Sequence, residues 1–388
     1  MEYVESKKRI LFEVLLLVLP LSIQIYNIVA SKLGLHPVGG KLVTLIILLI
    51  VSLYISFSNT NIERNIENRL LIAFVLFAFP ALLFNLESDS DYIVYALCSV
   101  LFVPLAFMNG LIISAKVANN GNMLWCDLLL LLPMFSVAAM MQSMPMLLIA
   151  ADFGRDAILA VSIFLPLILT TKGKYLKILL LILVSYWSVI SAKRTAFLCI
   201  GIAFLFLVLS DMFSITKKNF LKVAGIVVIL LSVGYYSYTN FSEFASQVDL
   251  VIERFEDPED NASNRERTDM YQGTYDAFLS SSLFEQLFGH GYKAIEKDLY
   301  GRPTHNDLLE ILYDYGVMSL VIYLLFLYKL LVRGIRSFRD NRKNVFLLFT
   351  MCNFLLLSMM NCMIMNPAFV FVNMFCLGYT LNLSQYSN

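Results

Sequence analysis

The chain has 388 residues, 59% of them hydrophobic and only 15% charged, with 29 Lys and Arg against 29 Asp and Glu, and its mean hydropathy is +0.73. Soluble domains run at about 45–50% apolar and about 25% charged, so too little polar surface remains to clothe a water-soluble globule of this size. A net charge of zero excludes a basic nucleic-acid binder and an acidic disordered chain, and an integral membrane protein is what is left.

A helix that crosses a bilayer needs roughly 20 predominantly apolar residues. Twelve runs meet or approach that requirement, at about 10–30, 38–57, 69–86, 92–115, 123–148, 156–171, 175–191, 195–213, 220–239, 306–331, 344–363 and 367–386. The first follows Lys7, Lys8 and Arg9 as a signal peptide would, but it continues to Ala30 without a small-residue cleavage site, so it reads as a retained span. No alternating ten-residue pattern of a barrel occurs, and an open sheet cannot satisfy its backbone in lipid. The expected fold is therefore all-α and polytopic. About twelve transmembrane helices form one membrane domain, nine in 1–240 and three in 306–388, separated by a long loop over 241–305.

Orientation follows from Lys and Arg in the short connections. With the N-terminus inside, 18 of the 29 basic residues fall on inner segments and span ends, among them Arg64, Lys172, Lys217 and the run from Lys329 to Lys343. Both termini are then cytoplasmic in a plasma or inner membrane, and the 65-residue stretch 241–305 lies outside. Connections of that length are usually functional. Within it Met270, Tyr271, Thr274, Phe278, Leu279 and Leu283 recur at near-helical spacing, which predicts one amphipathic helix over 264–288 lying on the membrane face.

Several chemistries lack a foothold. There is no phosphate loop, no GxSxG and no metal-ligand spacing around His36, His290 and His305, so neither a nucleotide nor a metal cofactor is expected. The six cysteines, Cys98, Cys126, Cys199, Cys352, Cys362 and Cys376, sit in or at the ends of apolar segments as small hydrophobes.

What stands out is cations on the wrong side. The outer loop holds 13 acidic and six basic residues, yet Arg265 and Arg267 open its predicted helix, and Lys193 and Arg194 fill a short outer turn, Ser191-Ala-Lys-Arg-Thr-Ala196. A cation at a span end can snorkel, and a loop arginine can be a solvated partner of Glu266 or Asp269. A short turn can equally present a guanidinium to an anionic group at the membrane surface, and its planar fork suits phosphate. The third feature is Thr304-His-Asn-Asp-Leu-Leu-Glu-Ile-Leu-Tyr-Asp-Tyr-Gly316. Here Asn306 can cap the following span. His305 can serve as an interfacial residue or exchange a proton with a sugar hydroxyl near neutral pH. Glu310 and Asp314, entering a membrane helix, should face protein or a wet cavity.

At these places the sequence resembles the O-antigen polymerase and O-antigen ligase family of bacterial membrane glycosyltransferases. The matching elements are the 191–196 turn, Arg267-Thr-Asp-Met-Tyr271 followed by Leu287-Phe-Gly-His-Gly291, and the string from His305 and Asn306 to Gly316. Tyr271 stands where that family often has tryptophan. The resemblance implies a GT-C-like glycosyltransferase whose donor is a polyprenyl-diphosphate-linked oligosaccharide. Arg194 and Arg267, with Arg265 and Lys193 beside them, would grip the diphosphate and His305 would activate the acceptor hydroxyl. Asn306, Tyr271, Glu310, Asp314 and Gly316 would support them. Membrane lipids, a chain-length regulator and a flippase are the implied partners. A repeat-unit polymerase of O-antigen, capsule or exopolysaccharide is the favoured activity and a ligase to lipid A core the alternative. A transporter or lipid flippase is disfavoured because the two halves look unlike and ionisable residues within the spans are scarce.

Overall fold

The computed structural model describes residues 38–58, 66–84, 90–120, 154–170, 174–191, 194–212, 262–341 and 344–386, with isolated positions at 19 and within 232–252. Apart from those isolated positions the expected spans at 10–30 and 220–239 lie outside the described residues, as do all of 123–148 and Lys193. Every regular element among these residues is helical and none is a strand.

Nine of the expected spans correspond to helices. They are α1 (Val38–Ser58), α2 (Ile66–Phe84), α3 (Ser90–Asn120), α4 (Gly154–Thr170), α5 (Lys174–Ser191) and α6 (Arg194–Met212), then α9 (Asp307–Asp340), α10 (Phe346–Met360) and α11 (Pro367–Tyr386). Between them come α7 (Ala262–Ser280), α8 (Leu283–Phe288) and a π-helical turn, Ile295–Tyr300. Among the described residues α1, α2, α3 and α9 are long and apolar enough to cross a membrane, and shorter apolar stretches occupy α5, α6, α10 and α11. Pro80, Pro104 and Pro166 sit inside α2, α3 and α4, a placement that neighbouring helices make tolerable in a membrane domain.

The helix at the centre is α3, its Phe102, Phe107 and Val103 fully buried. It crosses α11 where each contributes a glycine to the contact. A Cβ on Gly110 would stand 2.2 Å from the Phe375 carbonyl oxygen, and one on Gly378 would stand 2.0 Å from that of Phe107. Small residues at such crossings let backbones approach where lipid supplies no hydrophobic drive. Polar side chains add links between helices: Ser56 Oγ donates to Asn109 Oδ1 at 3.0 Å and Asn382 Nδ2 to the Leu111 carbonyl at 3.1 Å. At the rim, α1 turns Val43, Ile47, Ile50, Tyr54 and Phe57 outward, the stripe expected of a lipid-facing surface.

The structure departs from the sequence expectation in two elements. The helix expected over 264–288 is two helices, broken at Ser281 and Ser282. Ser282 Oγ accepts from Glu285 N at 3.3 Å and Glu285 Oε2 accepts from Ser282 N at 2.9 Å, a reciprocal cap that starts a new helix. Met270, Thr274 and Phe278 face inward as expected, whereas Leu279 and Leu283 are exposed. The second departure is α9, which runs nine residues past the expected end at 331. Its apolar run stops there, but Arg333, Arg336 and Arg339 continue the helix, because backbone bonding persists after the apolar run ends.

One buried ion pair fixes the relative direction of two helices. Arg333 Nε lies 2.8 Å from Oε1 of Glu67, whose side chain is wholly buried. The first turn of α2 therefore meets the last third of α9. In the first half of α9, Tyr315 and Tyr323 pack against Phe74 of α2.

Candidate active site

The site is built on the first three turns of α9 and the chain that leads into them. Asn306 caps the helix, its Oδ1 accepting from Leu308 N at 3.0 Å and Leu309 N at 3.4 Å, as its position predicts. Just before the cap His305 adopts a left-handed backbone, φ 61, uncommon for a residue with a side chain. Its neighbour Thr304 is clamped: both its N–H, at 2.6 Å, and its hydroxyl, at 2.8 Å, donate to Glu310 Oε1. His305 thus sits half-buried on a strap held by Glu310 on one side and the Asn306 cap on the other.

Asp307, Glu310 and Asp314 occupy one face of α9 at i, i+3 and i+7 and are all fully buried. Glu310 and Asp314 thus face protein, as expected for acids entering a membrane helix. Asp307 was not apparent as a functional residue in the sequence, although it shares their spacing. It accepts three hydrogen bonds, from Ser358 Oγ at 2.7 Å and from the N–H groups of Met363 and Ile364 at 2.6 and 2.9 Å, and so ties the start of α9 to the turn 361–366. Cys362 in that turn lies beside the same carboxyl groups.

Asp314 and Gly316 hold the Gly289-His290-Gly291 turn. At Gly316 (φ 80, ψ 169) the helix is broken, and the carbonyls that lose their helical partners are taken up by the turn. His290 N donates to Tyr313 O at 3.0 Å and Gly291 N to Asp314 O at 2.9 Å, while Asp314 Oδ1 accepts from Ile295 N at 3.2 Å. Both glycines on this contact are needed for space. A Cβ on Gly289 would meet Asp314 O at 2.2 Å, and one on Gly316 would meet Leu287 O at 2.3 Å. The His290 ring stacks on Tyr313 at 4.0 Å and its Nε2 lies 2.8 Å from Ser281 Oγ, so this histidine is part of the scaffold.

The arginines divide. Arg267 is half-buried, on the face of α7 that also carries Met270 and half-buried Tyr271, whereas Arg265 is exposed. The next residue along α7, Glu266, forms an ion pair with Arg302, three residues before His305. Farther along the same helix Gly273 leaves room for the Tyr300 hydroxyl. The ion pair brings the beginning of α7 to the strap of His305, and the close approach at Gly273 sets the middle of α7 against the π-helical turn. Arg194 is the first residue of α6, directly before buried Thr195 and Ala196.

Residues 157–324 match the family model described as O-antigen ligase. A domain-sized stretch of the chain is thus similar to the O-antigen ligase family. That stretch starts in α4, ends in α9 after Gly316, and encloses Arg194, Arg267 and His305. With the apolar helices, it marks an O-antigen ligase- or polymerase-like membrane enzyme. No curated protein matches the chain.

Proposed function

We propose that this protein is a repeat-unit polymerase, which transfers a growing glycan from its polyprenyl-diphosphate carrier to the nonreducing end of another lipid-linked unit at the outer membrane face. Arg194 and Arg267 hold the donor diphosphate. Cleavage at the anomeric carbon leaves extra negative charge on that diphosphate, so guanidinium groups aimed at it stabilise the transition state more than the ground state. His305 takes the proton of the acceptor hydroxyl, a contribution worth typically ~10²–10⁴-fold. Lys193 and Arg265 add positive charge nearby. Asn306 and Glu310 hold the strap, and Asp314 and Gly316 seat the turn beneath it.

The observation that carries this reading is the Glu266–Arg302 tether, which joins the neighbour of Arg267 to the strap of His305 within a stretch matched by the O-antigen ligase family model. Single substitutions Arg194→Ala, Arg267→Ala and His305→Ala are expected to abolish long glycan chains while single-unit glycolipid persists. Unchanged chain length in all three would refute the assignment. The ligase reading predicts the opposite phenotype on deletion: long chains stranded on the carrier lipid in place of capped single units.

A further inference from the structure

A cleft of about 380 Å³ opens among α1, α3, the 292–293 turn and the start of α11, lined by Lys41, Tyr92, Tyr95, Tyr292, Lys293 and Asn366 among others. Its walls are bound to one another. The Tyr292 hydroxyl donates to the Met365 carbonyl at 2.7 Å, the Tyr92 hydroxyl donates to the Tyr292 carbonyl, and the two rings lie 5.4 Å apart. Burial pushes the Tyr292 phenol far above its ordinary range, so it remains a neutral donor.

The charge of the cleft is opposite to that of its surroundings. The stretch 241–305 carries 13 acidic residues, yet the lining includes two lysines and no carboxylate. A third lysine, Lys297, stands 3.8 Å above the Tyr92 ring. Lys293 is partly neutralised by Glu296 at 2.6 Å. Lys41 is half-buried and no carboxylate among the described residues pairs with it. It shares the inward face of α1 with buried Leu45, which also lines the cleft, while the outward apolar stripe of Val43, Ile46, Ile47 and Ile50 lies on the opposite face of that helix. A half-buried cation, packed phenols and an amide lining one cleft match an anionic head with a sugar next to it. The cleft also adjoins the candidate active site. Met365 and Asn366 of its wall belong to the turn whose Met363 and Ile364 amides are held by Asp307, two residues from His305.

We propose that this cleft seats the phosphate-bearing head of the acceptor, the second lipid-linked saccharide of the reaction. The proposal rests on the polymerase reading, since a polymerase handles two lipid diphosphates at once and Arg194 and Arg267 serve only the donor. Lys41 meets the acceptor phosphate, Lys293 supports it, and Tyr92 and Tyr95 face the first sugar, leaving the far end of the acceptor glycan to reach His305.

The test is binding to the full-length protein in phosphatidylcholine nanodiscs, with a short-chain prenyl diphosphate bearing one hexose as the probe. Wild type is expected to bind two molecules per chain. Lys41→Met should weaken one of them about tenfold or more, ~1.4 kcal/mol, and Lys41→Arg should restore it. Arg267→Ala should remove the other. The melting temperature of each variant separates loss of charge from loss of fold. Full binding by a folded Lys41→Met variant overturns the cleft and leaves the polymerase reading standing. Loss in Lys41→Met with no loss in Arg267→Ala supports the cleft and overturns the donor assignment. Inorganic pyrophosphate should compete with the probe at the Lys41 site. Equal competition by phosphatidylglycerol would make the cleft a general anionic-lipid site and overturn the acceptor proposal.

Discussion

Asp307 offers the most quantitative test of how α9 is anchored. Its carboxyl group accepts from two backbone N–H groups and one hydroxyl, all buried. In Asp307→Ala the Ser358 hydroxyl can rotate to a carbonyl of its own helix, but the amides of Met363 and Ile364 are fixed by the turn and are left without acceptors. A buried unsatisfied donor costs about 1–3 kcal/mol, so the substitution should cost ~2–6 kcal/mol. Asp307→Asn keeps an oxygen for both amides and lets Ser358 accept in place of donating. Its main loss is a negative charge in the first turn of a helix, worth about 0.3–1 kcal/mol. Unfolding by SDS titration in mixed micelles, followed by far-UV circular dichroism, should therefore separate the two variants by at least ~1 kcal/mol, with Asn the milder. If the two variants lose equal stability, or Ala loses less than Asn, the two amide bonds do not carry the anchoring and the reasoning fails.

Three further outcomes follow from the same structure. Gly289→Ala and Gly316→Ala each drive a Cβ into backbone at 2.2 and 2.3 Å and should yield no folded protein on size-exclusion chromatography. Gly301→Ala, at φ 68 with open space around it, should cost only the ~1–2 kcal/mol of a left-handed alanine. Arg333→Ala leaves wholly buried Glu67 without its partner, and removal of one member of a buried pair costs about 3–5 kcal/mol; Arg333 is a third exposed, so a value at or below the lower end is expected. Arg333→Ala combined with Glu67→Gln should recover part of that loss in the same titration. Hydrogen bonds to Ser282 hold the Glu285 carboxyl below its usual range, so its contribution is present above the unfolded-state pKa and is lost as pH falls through the lower folded value. Amide exchange across 283–288 should accelerate in acid, and Glu285→Gln should remove that pH dependence; unchanged exchange would show that the cap does not hold α8.

The helices of the membrane domain were legible because lipid imposes one rule, and the runs at 38–57, 175–191 and 367–386 fall within a residue of α1, α5 and α11. The Asn306 cap was legible for an equally local reason. What the sequence hid is whatever depends on partners far along the chain. Leu279 and Leu283 have the spacing of a continued inward face, but the Ser282 and Glu285 cap turns the chain, and only the packed structure shows which signal prevails. Asp307 looked like one more polar residue at a helix start, because the amides it serves lie more than fifty residues away. Tyr92 and Tyr292, whose contact shapes the cleft, are separated by 200 residues, and neither belongs to a motif.

The break at Gly316 also bears on how the protein is made. Two carbonyls of α9 are exposed by it, and in hydrocarbon each would be a heavy penalty. The donors that serve them, at His290 and Gly291, leave the ribosome more than twenty residues ahead of them. The chain therefore presents the adaptor before the defect it covers, and α9 can complete its backbone bonding as it enters the bilayer. A circular permutation that placed 289–291 after α9 would reverse that order and leave the helix waiting in lipid with bare carbonyls, a fault of biogenesis that the finished structure would not reveal.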